Sequence, residues 1–315
     1  MDKNKIYVAI DLGSVSFHFV VMTQKRGRLS WVECKKEIIR LASGLNPKKG
    51  TLSPEIEKRA LRTLNYFGRH LKNFNVAQCR VVGTSTFRNL KDNEIFQKKA
   101  ELALGHKIDV LSGEDEARYI YRGVSYNLPK EKRIVIDIGG GSTECVAGNG
   151  TTAEIITSIE LGCITLTQAY FQDGTINETK FEQAELMAAN AFKSIAEPFK
   201  DYAWESELGT SGTIKAISWA LQNLDISDGT ISREAIASLK KEILSCSNTN
   251  ELSKRIKLNY HRSSVFCGGF VLLSQAFNVL GLSYLKIAQG AIREGIIDEM
   301  IEINESNQQR SHQTD

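Results

Sequence analysis

The chain has 315 residues, of which 24% are charged, and its formal net charge is +3. That length predicts two domains of roughly 150 residues each, and the modest charge argues against a dedicated binder of duplex DNA, which would be far more basic. No apolar run approaches the ~18 residues of a membrane span. The N-terminus enters a strand without a signal-peptide pattern. We therefore expect a cytoplasmic protein that binds neither nucleic acid nor a membrane.

The six cysteines and five histidines are dispersed along the chain, without a Cys-x-x-Cys pair or a histidine cluster. This spacing favours reduced thiols over a disulfide framework or a zinc site. A metal bound by oxygen ligands is the better expectation.

In the first half, the pattern of apolar residues predicts three strands and then alternating helices and strands. The clearest helix begins at Ser53-Pro54, a capping residue followed by proline at the first helical position. The predicted strands lie near 5–10, 17–23, 30–38, 79–84 and 107–111.

The second half repeats this plan, which indicates the α/β class. We expect one domain over 1–126, a second over 127–303 whose last helix (290–303) can pack back on the first, and a polar tail over 304–315. The predicted strands lie near 133–138, 142–148, 152–159, 205–209 and 283–288. The predicted helices lie near 163–171, 177–197, 232–245, 263–280 and 290–303, and another begins at Thr213.

One pattern occurs twice and is the most informative feature of the sequence. A short apolar run ends in an aspartate, and glycine and a hydroxyl residue follow at once. Glycine brings backbone N–H groups close to an anion, and the aspartate can hold a divalent cation. An ordinary strand-to-turn junction would explain one copy, but the repetition and three consecutive glycines favour phosphate binding. The copies are Asp11-Leu12-Gly13-Ser14 and Asp137-Ile138-Gly139-Gly140-Gly141-Ser142-Thr143-Glu144.

An acid-rich segment follows a predicted strand and begins a helix. Ser112 and Asp115 can form a capping box, and acids suit the positive end of a helix dipole. That structural role does not explain why Glu114, Asp115 and Glu116 come together where the strand points into the presumed site. One of these acids could deprotonate a water molecule.

Two arginines and one further loop complete the candidates. Arg88 follows the strand-end segment 83–86 and would form a phosphate clamp, and Arg293 lies at the start of the last helix. The amides of Ser211-Gly212-Thr213, at another helix start, suit an anion. Each arginine taken alone is explained equally well as a surface residue.

The two halves resemble ribonuclease H-like domains of the actin/sugar-kinase superfamily, whose ligand site is the cleft between the domains. Six segments, in order over residues 6 to about 303, resemble the exopolyphosphatase/guanosine pentaphosphate phosphatase (Ppx/GppA) family, in its short form without the C-terminal HD-like domain. The segments are 11–18, 82–88, 112–118, 137–144, 209–213 and 290–295.

The resemblance implies Mg²⁺-dependent release of a terminal phosphate from inorganic polyphosphate or from guanosine pentaphosphate. It implies that Glu116 is the catalytic base, that Asp137 and Glu144 serve the metal and the attacking water, and that Asp11 also serves the metal. A homodimer is compatible with this interpretation. The implied phosphate-binding residues are Gly13, Ser14, Arg88, Gly139, Gly140, Gly141, Ser142, Ser211, Gly212, Thr213 and Arg293.

Two departures from the family pattern bear on activity. Val15 stands where the family usually has asparagine, and an apolar side chain donates no hydrogen bond. Asp92 stands where asparagine is frequent, and its negative charge does not help to bind an anion. Both departures would weaken the enzyme or alter its substrate.

The leading hypothesis is an exopolyphosphatase, and the alternative with the same chemistry is a guanosine pentaphosphate 5′-phosphohydrolase. A non-catalytic regulator that binds polyphosphate or guanosine tetraphosphate, and an ATP-dependent kinase, stay open. A set of basic residues could extend a phosphate track, although a solvated surface explains them better. The set is Lys130, Lys132, Arg133, Lys254, Arg255, Lys257 and Arg262.

Overall fold

The structure is a computed structural model, and it describes residues 5–25, 28–46, 49–90 and 93–312. Asp92, singled out above, lies outside the described residues. The chain divides into two compact units. The first contains the residues up to Tyr126 together with those from Ile292 onward, and the second is Asn127–Ala291. No helix in the described part of the chain has the length and apolar character that a membrane span requires.

The helices and strands alternate along the chain as an α/β protein requires. The elements up to Ser125 are β1 (Ile6–Leu12), β2 (Ser16–Lys25), β3 (Arg28–Ile38), β4 (Leu45–Asn46), β5 (Thr51–Leu52), α1 (Pro54–Leu71), β6 (Val76–Gly83), α2 (Ser85–Arg88), α3 (Asn93–Leu104), β7 (Asp109–Val110) and α4 (Gly113–Ser125). Those that follow are β8 (Lys132–Ile138), β9 (Thr143–Asn149), β10 (Thr152–Ile159), α5 (Cys163–Tyr170), α6 (Glu178–Lys193), β11 (Ser206–Thr210), α7 (Ser211–Asn223), β12 (Ile231–Ser232), α8 (Arg233–Leu244), α9 (Thr249–Arg255), α10 (Tyr260–Ser263), α11 (Phe266–Leu280), β13 (Tyr284–Ile287) and α12 (Ile292–His312).

The sheet of the first unit has the order β3-β2-β1-β6-β7. Its first three strands pair antiparallel, while β6 pairs parallel with β1 and with β7. The parallel pairs need helical crossovers, and α1 supplies the first of them. The carboxyl ends of β1 and β6 therefore meet at one edge, where Leu12 lies opposite Gly83.

The sheet of the second unit begins in the same way, with the order β10-β9-β8-β11-β13-β12. Three antiparallel strands are followed by two parallel ones, and β12 adds a short antiparallel edge. Asp137 at the end of β8 lies opposite Thr210 at the end of β11. Each unit thus brings a glycine-rich strand end next to a second strand end that carries hydroxyl residues.

The core of the first unit explains why α1 forms where the sequence predicts it. Ser53 caps the helix, since its Oγ accepts a hydrogen bond from the Ile56 N–H at 3.4 Å. Leu64 and Phe67 of the helix belong to one buried cluster with alternate residues of β1 and β2, including Phe19. The cap at Ser53 fixes where α1 begins, and its apolar face packs on the sheet. The predicted start of this helix is confirmed.

The last helix is longer than the sequence predicts. The polar segment from 304 was expected to be a tail, but α12 continues to His312. Asn304 donates a hydrogen bond to the Tyr7 hydroxyl at 3.0 Å, and Glu305 accepts one from Gln24 at 2.9 Å. These contacts to β1 and β2 stabilise α12 beyond the apolar residues from which the helix was predicted.

Candidate functional site

The loops after β1 and β8 have the same backbone geometry. The Gly13 N–H donates to the Ser16 carbonyl at 3.2 Å, and the Gly139 N–H donates to the Ser142 carbonyl at 2.9 Å. A Cβ atom on either glycine would lie 3.1 Å from that carbonyl oxygen, tighter than ordinary packing. The repeated sequence pattern is therefore a repeated turn, and Val15 in the first loop corresponds to Gly141 in the second.

Each loop presents two backbone N–H groups that donate to no other described residue. Those of Ser14 and Val15, and those of Gly140 and Gly141, have no hydrogen-bond acceptor among the described residues. Buried backbone donors are nearly always paired in native proteins, and three of these four residues are buried. Successive N–H groups in such a turn form a concavity that suits an anion.

The carbonyl side of the second loop is fixed by α5. The Cys163 and Ile164 N–H groups donate to the carbonyls of Gly139 and Gly140, each at 2.9 Å. Gly162 permits this contact, since a Cβ there would come within 2.5 Å of the Gly141 nitrogen. With its carbonyls bound to α5, the loop is rigid.

The aspartates at the two strand ends face different partners. Asp11 pairs across the sheet with His18, whereas Asp137 pairs with Glu144. His18 Nδ1 lies 3.4 Å from Asp11 Oδ2, but burial outweighs this carboxylate and lowers the pKa of His18. Glu144 is almost fully buried and accepts a hydrogen bond from Ser158 at 3.0 Å. The second unit therefore holds two carboxylates where the first holds one and a histidine.

Of these pairs, Asp137 and Glu144 suit a hard divalent cation. Their oxygens are the ligands that Mg²⁺ prefers, and Mg²⁺ usually binds one or two carboxylates and completes its shell with water and substrate phosphate. Nowhere in the described ranges do three His, Cys, Asp or Glu side chains gather in a metal-binding group. The residues therefore fit a metal that is shared with its substrate, and they do not fit a closed structural site.

Glu116 and Arg88 form a close ion pair. Arg88 Nη1 donates to Glu116 Oε2 at 2.8 Å and to the Leu111 carbonyl at 3.0 Å. Glu116 is 8% exposed, so this charge-assisted hydrogen bond holds an ionised carboxylate in a fixed direction. Arg88 was expected to contact phosphate, but in the structure its guanidinium is engaged with the proposed base. Next to it, Thr86 donates to the Ser14 hydroxyl at 2.8 Å, which joins α2 to the first loop.

Arg293 lies in the first turn of α12, as the sequence indicates. Its charge contributes to lowering the pKa of His18, so the two side chains lie within electrostatic range of each other. Its Nε is buried without a hydrogen-bond partner, and Arg293 forms no ion pair with any carboxylate in the described part of the chain. An arginine in this state is available to an anionic ligand.

The start of α7 carries a third group of donors. Ser211 has a φ angle of +90°, which is rare for a residue with a side chain, and its Oγ accepts a hydrogen bond from the Thr213 N–H at 3.2 Å. Such strain of the backbone is typical of ligand-binding positions. The guanidinium of Arg262 packs directly over Gly212, so a side chain at position 212 would displace this arginine.

Arg262 is a candidate whose surroundings differ from those that the sequence analysis favoured for it. It was grouped with solvated basic residues, but its guanidinium packs against Gly212 and its charge acts on Cys163, which follows the second loop. Burial lowers the pKa of Arg262, and no carboxylate forms an ion pair with it within the residues described. No local signal identifies it, because α10 and Gly212 are distant in sequence.

The other basic residues do not form one track. Arg133 is fully buried and donates to the Gly150 carbonyl at 2.8 Å, so its assignment to a solvated surface was wrong. Arg255 pairs with Glu242 at 3.1 Å. Lys132 lies 5.0 Å above the ring of Tyr202. These three side chains have structural partners of their own.

Two α/β units that each end their first strand in the same glycine turn define the class of the protein as a two-domain α/β fold. More specifically, the chain belongs to the Ppx/GppA phosphatase family, whose family model matches residues 20–303. It is therefore a phosphoanhydride-hydrolysing enzyme.

Solved structures agree with this assignment at the level of the fold. The Ppx/GppA family member of Aquifex aeolicus is 22% identical, over 96% of this chain and 99% of that one, with a TM-score of 0.79. An exopolyphosphatase from Cytophaga hutchinsonii is 21% identical, over 95% and 98%, with a TM-score of 0.81. An exopolyphosphatase-like protein is 19% identical, over 93% and 97%, also with a TM-score of 0.81. The two expected ribonuclease H-like domains are confirmed.

The ion pair between Arg88 and Glu116 makes a prediction for stability. Arg88→Met should lower the free energy of unfolding by about 1–3 kcal/mol, because a buried carboxylate loses its bonded cation. In Arg88→Met/Glu116→Gln the loss should be smaller than the sum of the single losses, with a coupling of about 0.5–3 kcal/mol. Urea unfolding of the four proteins measures this.

The matched control for this cycle is Arg118→Met, whose arginine pairs with the exposed Asp115 on the same helix. It should change stability by less than about 0.5 kcal/mol. Strictly additive effects of the Arg88 and Glu116 substitutions would show that the pair contributes nothing.

Proposed function

We propose that the protein is an Mg²⁺-dependent exopolyphosphatase that releases terminal orthophosphate from inorganic polyphosphate. The observation that carries this proposal is the pair of strand-end loops whose four N–H groups have no acceptor in the described protein. Such donors suit phosphate oxygens, and a polyphosphate chain offers them in regular succession.

The loops and two arginines would bind the phosphates. In the first unit these groups are Gly13, Ser14 and Arg293, and in the second they are the loop 139–142, the helix start at Ser211-Gly212-Thr213, and Arg262. Because neither Arg293 nor Arg262 has an ion-pair partner in the described part of the chain, binding an anion does not require breaking a salt bridge. Phosphoryl transfer depends mainly on positioning and on neutralising developing charge, which these groups would provide.

Glu116 would act as the general base, accepting the proton of the attacking water. A general base must be ionised and must be held in one direction, and the hydrogen bond from Arg88 meets both conditions. In this proposal Arg88 orients Glu116 and is a positioning residue, a change from the phosphate contact expected from the sequence.

Asp137 and Glu144 would hold Mg²⁺, and Asp11 is the further acid proposed to serve it. When bound, Mg²⁺ would neutralise charge on the phosphate oxygens of the substrate. Ser158 fixes the Glu144 carboxylate by a hydrogen bond of 3.0 Å, so that residue keeps its orientation without a ligand.

Guanosine pentaphosphate is the second candidate substrate, since it carries the same terminal phosphoanhydride. Backbone amides and arginines recognise phosphate and not a base, and this favours inorganic polyphosphate as the first candidate. Val15 in the first loop leaves its N–H available, since backbone donation does not depend on the side chain.

A direct comparison of substrates tests the function. Orthophosphate release should be measured from tripolyphosphate, long-chain polyphosphate, guanosine pentaphosphate and ATP, with Mg²⁺ and with chelator. We expect kcat/KM to be highest for the inorganic chains and release to cease in chelator. A higher kcat/KM for guanosine pentaphosphate would assign the alternative function, and release from none of them would refute the proposal.

The role of Glu116 predicts a large loss of turnover. Glu116→Gln keeps the size of the side chain but removes the proton acceptor, so kcat should fall by about 10²–10⁴ while KM changes less. The control is Glu114→Gln, an exposed acid in the same helical turn that pairs with Arg118. A kcat for Glu116→Gln close to that of Glu114→Gln would exclude Glu116 as the base.

The role of Asp137 predicts a change in metal dependence. Asp137→Asn should raise the Mg²⁺ concentration needed for half-maximal rate, because a neutral amide is a poorer ligand for a hard cation. Glu154→Gln is the control, since Glu154 lies exposed on β10 and accepts a hydrogen bond from the Tyr202 hydroxyl at 2.8 Å. An unchanged Mg²⁺ dependence in Asp137→Asn would remove this residue from the metal site.

A further inference from the structure

Helices α4 and α12 pack closely, and their crossing point is where Gly295 of α12 meets the backbone of α4. At the crossing point, a Cβ atom on Gly295 of α12 would collide with the Tyr119 carbonyl oxygen of α4. It would also lie 2.9 Å from the Tyr119 carbonyl carbon and 3.0 Å from the Gly123 nitrogen. Backbone atoms cannot rotate away as a flexible side chain can, so even one methyl group would force the two helices apart.

On one side of this crossing, toward the C-terminus of α12, side chains hold the helices together. Arg122 of α4 pairs with Asp298 at 2.5 Å and with Glu302 at 2.7 Å. The Tyr119 hydroxyl donates to Glu299 at 2.5 Å, and burial and this carboxylate raise the pKa of Tyr119 to about 12. These bonds resist separation of the helices on that side.

On the other side of the crossing lie two residues of the proposed site. Glu116 precedes Tyr119 by one turn on α4, and Arg293 precedes Gly295 by two residues on α12. No salt bridge holds Arg293 to a carboxylate in the described ranges. A side chain at position 295 would push the two helices apart. The bonds of Arg122 and Tyr119 resist this separation on the C-terminal side, so we expect the displacement to fall on the turn that carries Arg293.

We infer that Gly295 is a positioning residue, and that the close crossing of α4 and α12 at this glycine fixes the turn of α12 that carries Arg293. This inference rests on the proposed function, in which Arg293 binds substrate phosphate. Glycine is required here for its lack of a side chain, since no left-handed backbone angle is recorded at this position. The crossing thereby connects the packing of the first unit to the placement of a substrate-binding cation.

The test compares Gly295→Ala with Gly105→Ala in the full-length protein. Gly105 lies in the same unit at a φ of +78° with open space around it, so alanine there destabilises the unit by strain without touching α12. Each variant is made with and without Arg293→Ala, and kcat/KM for tripolyphosphate is measured at a temperature where all the proteins are folded.

We expect Gly295→Ala to lower kcat/KM by up to about 10²-fold, the effect of misplacing a reacting or binding group by about 1 Å. Adding Arg293→Ala to Gly295→Ala should lower kcat/KM only a little further. Gly105→Ala alone should stay near wild-type activity, and adding Arg293→Ala to it should cause the full loss seen in the Arg293→Ala single variant. Near-wild-type activity of Gly295→Ala, or full additivity with Arg293→Ala, would overturn the inference.

A second readout does not depend on activity. The ring resonances of His18, assigned by their loss in His18→Asn, report on the charge of Arg293, which acts on this ring. They should shift in the same direction in Gly295→Ala and Arg293→Ala, and should keep their wild-type position in Gly105→Ala. Should the wild-type protein hydrolyse no tested substrate, the proposed function fails and these resonances alone decide. Unmoved His18 signals in Gly295→Ala or in Arg293→Ala would overturn the inference.

Discussion

The structure depends on one constraint, the turn that ends the first strand of each unit. A hydrogen bond from its first glycine to the carbonyl three residues later closes the turn, and the next two N–H groups then have no acceptor among the residues that the structure describes. Unpaired donors cost free energy in a folded protein, so a turn of this kind requires rigid support. In the second unit α5 supplies it by binding the loop carbonyls, and in the first unit Thr86 does so through the Ser14 hydroxyl.

The two units repeat this turn but differ in the side chains around it. Strand pairing places His18 in the first unit where Glu144 stands in the second. Likewise Val15 corresponds to Gly141. These departures from symmetry agree with the proposed roles, because two neighbouring carboxylates suit a divalent cation, whereas one carboxylate beside a histidine suits it less well. One topology used twice therefore supports two different roles.

The sequence alone identifies the parts of this site that are local. Strand, glycine turn and helix start follow one another within a few residues, so the two loops, the Ser53 cap and the α/β class could all be predicted. The contacts of single side chains over long distances could not. Arg262 packs on Gly212, Arg88 binds Glu116, and Arg133 is enclosed by backbone carbonyls. The sequence does not distinguish these arginines from one another. Whether an arginine is exposed, binds a ligand or forms a structural hydrogen bond depends on the residues that lie next to it in the fold.

Pairing also explains how the arginines of this protein divide their roles. Arg122 and Arg80 are bound to carboxylates of α12 and hold the first unit together. Arg262 and Arg293 have no such carboxylate within the described residues and are partly desolvated, a state that costs free energy unless an anion completes it. A fold under selection for stability alone would have supplied an acid to each. Partly desolvated arginines without a described carboxylate partner fit the pattern in which stability is given up for ligand binding at a functional site, and this supports the proposal that Arg262 and Arg293 bind substrate.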